Sequence, residues 1–163
     1  LLDATFDLCS GDFPSEKTRI ARRQVIANKT NNPYSFISTE TVRYLTSFSA
    51  ASALTDLDKV IAKCKSNGGV VSGQQLVTKY QFLETPDFKF ASGVSGRVIS
   101  VIIGEGDKAQ HLLAFFQTKD NLIVNTYISS SKQLTDSAIE RWKQVANVIS
   151  TRLSQYSAIN SAV

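Results

Sequence analysis

FSAASALTDLDKVIAKC, Phe48 to Cys64, is the stretch on which the fold of this chain turns. Apolar residues recur at Ala50, Leu54, Leu57, Ile61 and Cys64, in steps of four and three that place them on one stripe of a helix. The Cys64 thiol then lies on the buried side. The only other cysteine is Cys9, so a single disulfide can tie an amino-terminal segment to the end of the core helix. Such a link places the domain outside the cytosol; two unrelated buried thiols in a cytosolic chain are the competing reading. Closing a loop of this size removes roughly 4 kcal/mol of unfolded-state entropy at most.

Around this helix the chain reads as alternating elements. Phe36 to Thr46 is rich in β-branched and aromatic residues and alternates in polarity, a strand running straight into the helix. Ser47 or Ser49 is placed to cap the helix start, and Asn67-Gly68-Gly69 to end it. Upstream, Leu1 to Gly11 is an arm held by Cys9. Asp12-Phe13-Pro14-Ser15 opens a short helix, and EKTRIARR would give it a basic face of Lys17, Arg19, Arg22 and Arg23. That face is either solvated or meets an anion or lipid headgroup. Gln24 to Ala27 follows as a strand. Asn28-Lys29-Thr30 fits a glycosylation sequon, which matters only in a eukaryotic secretory pathway.

Downstream, Leu76 to Leu83 is a strand, and Pro86, Phe88, Phe90 and Gly93 mark an irregular stretch that either packs on the domain or forms a lid. Arg97 to Ile103, Ala109 to Thr118 and Asn121 to Ser129 are three strands joined by short polar turns, an antiparallel meander. One face is assigned Ile99, Val101, Ile103, Leu113, Phe115, Leu122, Val124 and Ile128; the other, half polar, takes Val98, Ser100, Ile102, Phe116, Asn125 and Tyr127. Thr135 to Gln155 is the second long helix, with Ser137 and Glu140 at capping-box spacing and Trp142 on its apolar stripe. The expected fold is therefore α/β (α+β), a central antiparallel sheet of about five to six strands with both long helices on one face, in one domain from Leu1 to Val163.

Composition narrows the function. Methionine is absent, which fits a processed, exported chain whose initiator lies upstream. A net charge of +4, mixed along the chain, neither demands nor excludes an anionic partner. Basic residues do not interleave with aromatics as in nucleic-acid modules, so no nucleic-acid partner is expected. No apolar run reaches the length of a membrane span, although an anchor upstream of Leu1 remains open. His111 is the single histidine, on a strand and without a nucleophile motif, which favours a structural role over an enzyme. With so few His and Cys, a metal site would have to be built mostly from carboxylates. Gly104-Glu105-Gly106 lacks the rest of a dinucleotide loop and makes a turn, and no cofactor is expected. Asp56 and Asp58 do not face each other on a helix and read as a solvated edge.

The order TVRYLTSF, AASALTDLDKVIAKC, HLLAFFQTKDNLIVNTYI and TDSAIERWKQVANVISTRL resembles the extracellular sensor domains of the mycobacterial Ser/Thr kinase PknH and related actinobacterial exported lipoproteins. The resemblance implies a central antiparallel sheet, helices on one side, and a cleft for an extracellular ligand. Those kinase domains carry two disulfides where this chain has cysteines for one, which points to a free-standing cell-envelope lipoprotein. On this basis the chain is an exported, non-catalytic module that binds a small or lipid-like molecule on the open sheet face. Arg43, Tyr44, Ser100, Asn125 and Tyr127 would line the site, with Phe88 and Phe90 from the loop. A cell-envelope interaction scaffold without a small ligand is the alternative, and a hydrolase built around His111 a third.

Overall fold

The computed structural model describes residues 6–27, 34, 36–72 and 77–157. The core helix, α1 (Ser47–Ser66), forms as its spacing demands, with Ala50, Ala53, Leu54, Leu57, Val60 and Cys64 buried. Its cap is Thr46 rather than either serine: the Thr46 hydroxyl accepts from the Ser49 amide at 3.0 Å. Thr135 likewise caps α2 (Asp136–Ser154) in place of the Ser137 box. In both cases the residue just before the first helical turn has extended backbone, so its hydroxyl reaches the free amides.

The strands are β1 (Arg19–Ala27), β2 (Phe36–Tyr44), β3 (Val70–Ser72), β4 (Val77–Phe82), β5 (Ser95–Ile103), β6 (Gln110–Lys119) and β7 (Leu122–Ser130). They form one seven-stranded sheet in the order β1-β2-β7-β6-β5-β4-β3, each pair antiparallel. One strand, β3, exceeds the expectation, and β1 starts earlier than the strand expected at Gln24 to Ala27. The three-residue β3 is too short to show a period, and most of β1 was read as helix. There EKTRIARR is split: Pro14–Thr18 is a single 3-10 turn, and from Arg19 the chain is extended. Its charges do not form one exposed face, because Arg19 pairs with Glu16 at 2.9 Å and Arg22 turns inward to Glu40.

The two helices lie on opposite faces of the sheet, not on one. Ala114 and Phe116 pack with Ala50, Ala53, Leu54 and Leu57 of α1, while their neighbours Leu113 and Phe115 pack with Trp142 and Ala146 of α2. Successive strand residues point to opposite sides, so both faces carry a core. The assignment of residues to faces was off by one on β5. Ile99 pairs with Ala114 and Ser100 with Leu113, so Ile99 shares the α1 face with Phe116, Asn125 and Tyr127, whereas Ser100 shares the α2 face with Leu113 and Phe115.

The amino-terminal arm is fixed on the α1 side. Cys9 and Cys64 form a disulfide with Cα atoms 6.1 Å apart. Phe6 stacks on Phe13 at 5.2 Å and leans on Phe116 at 5.4 Å. The two aspartates read as solvated act as tethers: Asp56 accepts from the Ser15 amide at 3.0 Å, and Asp58 takes a bidentate pair from Arg97 on β5. The glycosylation sequon and the tail beyond residue 157 lie outside the described residues. No described helix is long and apolar enough to cross a membrane.

Candidate functional site

The sheet brings the expected site residues into separate groups. Tyr44, Asn125 and Tyr127 point to the α1 face and Arg43 and Ser100 to the α2 face. Phe88 and Phe90 are not a lid over an open surface. They meet edge to face at 5.0 Å, and Phe88 meets Phe115 the same way at 4.9 Å, so the irregular stretch is packed on the α2 face. The Ala91 amide donates to Ser150 on α2 at 2.8 Å and holds it there.

On the α1 face the polar residues serve one buried carboxylate. Glu40 on β2 is 1% exposed, and its register partner on β7 is Asn125. A bare carboxylate in that position would be strongly disfavoured. Arg22 pairs with it from β1, Asn125 donates at 3.3 Å and Tyr127 at 3.2 Å. Burial, and then the Glu40 charge, pushes the Tyr127 hydroxyl well above its ordinary pKa. Tyr44 is raised in the same way, by burial and by Glu16, to which it donates at 2.9 Å. Arg22, Asn125 and Tyr127 converge on Glu40 and tie β1, β2 and β7 together. Sequence reading missed Glu40, although the signal was there: one acid in FISTETVRY falls among the inward-facing positions.

A different cavity occupies the α2 face. It measures about 410 Å³ and lies between β5, β6, the 83–87 segment and the start of α2. Leu83, Pro86, Leu113, Leu134 and Ile139 make its apolar walls. The Ser100 hydroxyl and the His111 imidazole come from adjacent strands, and Glu84 and Asp87 stand at the exposed rim. Ser100 is thus the one expected residue at this cavity. His111 joins it because Ile102 opposite keeps both on one face. No hydrogen bond links Ser100, His111 and the two carboxylates among the described residues. A second recess surrounds the disulfide, lined by Ser10, Asp12, Lys59, Lys63 and Asn67.

The fold is similar to that of the extracellular domain of PknH from Mycobacterium tuberculosis, with a TM-score of 0.51 and 18% sequence identity over 85% of this chain. The chain spans 66% of that domain, just under two thirds of its length. A protein of unknown function from Pseudomonas aeruginosa, PA94, is a more distant neighbour, with a TM-score of 0.44 and 13% identity over 78% of this chain and 80% of that one. No protein-family model matches the chain, and no curated protein matches it in sequence. The disulfide fits a location outside the cytosol.

Proposed function

We propose that the chain is an exported, non-catalytic ligand-binding domain of sensor type that takes a small molecule into the cavity on its α2 face. The cavity itself carries this reading. At about 410 Å³ it is within the range of small-molecule sites, and it has their make-up of apolar walls with a few convergent polar groups. Ser100 and His111 can each donate or accept a hydrogen bond inside, while Glu84 and Asp87 favour a ligand whose outer end is cationic or rich in donors. The chemistry that fits is an apolar body with an amine or hydroxyl end.

Native mass spectrometry, before and after denaturation, tests for a co-purified molecule of this kind. A neutral fluorescent probe, N-phenyl-1-naphthylamine, tests the cavity directly. Ser100→Phe fills the space between β5 and the 83–87 segment, and Leu134→Trp narrows it from the α2 side. Both variants should lose at least tenfold in probe affinity with the circular-dichroism spectrum unchanged. Equal binding by wild type and both variants overturns the proposal. A second reading, an interaction scaffold of the cell envelope, draws on the exposed apolar side chains of β1.

A further inference from the structure

The two edges of the sheet are unequal. One ends in β3, three residues long; the other ends in β1, nine residues with no neighbour on its outer side among the described residues. A long edge strand presents a row of free amides and carbonyls and is a template for another strand unless a proline, a covering segment or inward charges blunt it. RIARRQVIA contains no proline, and its inward-turned charges, Arg19 and Arg22, are paired with Glu16 and Glu40 within the fold. Its irregularity falls at the very start, between Arg19 and Ala21, leaving the pairing regular from Ala21 to Ala27. Three exposed large apolar side chains, Ile20, Val25 and Ile26, are on this one strand.

The charges at this edge have a sign and a side. Arg19 and Arg22 are neutralised by Glu16 and Glu40. Arg23 and Arg43 are exposed, and no described residue pairs with either. Arg23 sits opposite Thr41 and Arg43 opposite Ala21, so the two guanidinium groups are diagonal neighbours on one face of the β1–β2 pair. That is the α2 face; α2 packs chiefly on β6 and β7, and Arg23 and Val25 are exposed. Val25 is the next residue along β1 on the same side.

We infer that β1 takes an extended, acidic segment of a partner protein as an eighth strand. Main-chain hydrogen bonds to the free edge supply the affinity. Carboxylates of the incoming strand meet Arg23 and Arg43, and an alternate apolar residue covers Val25. A second copy of this chain suits the edge less well, because antiparallel pairing centred on β1 sets Arg23 against its own counterpart. The inference gives the scaffold reading a partner chemistry, and it stands apart from the cavity, which lies at β5 and β6.

The test uses a fluorescein-labelled peptide of alternating valine and glutamate, titrated against the whole chain by anisotropy. Binding should weaken as salt rises. Arg23→Glu should lower affinity for this peptide at least tenfold and raise affinity for the matching valine-lysine peptide, with an unchanged melting midpoint because Arg23 is exposed and forms no ion pair among the described residues. The same acidic peptide with alternate amides N-methylated along one edge should not bind, since charge alone is not the recognition. Equal binding by the methylated peptide, equal binding by Arg23→Glu, or no binding to wild type overturns the inference. So does a sedimenting dimer that Arg23→Glu strengthens and the peptide fails to dissociate. Loss of naphthylamine binding has no bearing on these outcomes, so this inference and the cavity proposal fail separately.

Discussion

The hydroxyl of Tyr127 donates to the carboxylate of Glu40 across 3.2 Å, joining β7 to β2 on the α1 face. The same Glu40 holds Arg22 of β1, so one acid fastens three adjacent strands. Removing its charge takes the Glu40 ion pair away from Arg22, whose side chain is only 18% exposed. Glu40→Gln should therefore lower stability by about 1–3 kcal/mol, read as a fall in the urea midpoint at constant slope. Tyr127→Ala should go further, by about 3 kcal/mol or more, since it also empties a place beside Phe116, 5.6 Å from its ring. An unchanged midpoint in both variants would show that Glu40 is not the fastening.

Alkali should weaken the fold through its tyrosines. Tyr44 and Tyr127 are both held above their ordinary pKa, chiefly by burial and then by the carboxylates they bond. A raised folded pKa means the native state keeps the proton more tightly than the unfolded chain. The stabilisation is complete below about pH 10, the unfolded tyrosine value, and is lost as pH rises beyond it. Urea midpoints followed upward from about pH 9 should drop, and the drop should be shallower in Tyr44→Phe. Lysines titrate in both proteins and cancel in the comparison. Parallel curves for the two would remove Tyr44 from this account.

The two helices and the meander were legible from simple signals: the helical spacing of Ala138, Trp142 and Leu153 in α2, and the apolar run LLAFF set between short polar turns in β6. What a period cannot convey is which strand residues stand opposite each other. Register between β5 and β6 is set through the turn at Gly104, with its backbone φ of +88°, and the 3-10 turn at Gly106–Lys108, and a one-residue error there sent Ser100 to the wrong face. Sidedness of the helices was hidden for the same reason, since β6 is apolar on both faces over Leu113 to Phe116 and does not say which helix covers which. The first half of β1 was hidden by local charge: RIARR has no visible alternation until Arg22 is seen bonded to Glu40, and only Gln24 to Ala27 reads as strand. The cavity was half legible, Ser100 by its polarity on a strand and His111 only by the fold around it.

The Cys9 to Cys64 link spans 55 residues of sequence and clamps the arm that carries Phe6 and Leu8 into the α1 core. Replacing both with serine should cost about 3–4 kcal/mol, the higher end being the full chain-entropy value. The bond joins the arm to the end of α1 and touches no strand of the sheet directly, so the arm should loosen before the sheet does. Hydrogen exchange is expected to speed first at residues 6–11, with β6 and β7 protected to the global limit. Uniform acceleration across the sheet would mean that the bond supports the whole fold rather than the arm. Intact mass, lower than the reduced chain by a hydrogen pair, establishes the starting state.

Two adjacent glycines end α1, and they should respond very differently to the same change. Gly68 and Gly69 both have left-handed backbone, with φ of 67° and 74°. At Gly68 an added methyl group meets nothing within 4 Å, so Gly68→Ala carries only the conformational strain, about 1 kcal/mol. At Gly69 the methyl would run into the carbonyl oxygen of Tyr80 on β4, a strand whose own Tyr80 amide donates to the Gly69 carbonyl at 2.7 Å. Backbone cannot yield as a side-chain tip does. Gly69→Ala must therefore either break the β3–β4 contact or shift the end of α1, and with it Cys64, whose carbonyl accepts from the Gly69 amide at 2.8 Å. Its expected cost is about 3 kcal/mol or more, from strain and the lost hydrogen bonds together. Thermal melts of the two variants decide the matter: Gly68→Ala should stay close to wild type while Gly69→Ala falls well below it, and equal midpoints would show that Gly69 is needed only for its dihedral angle.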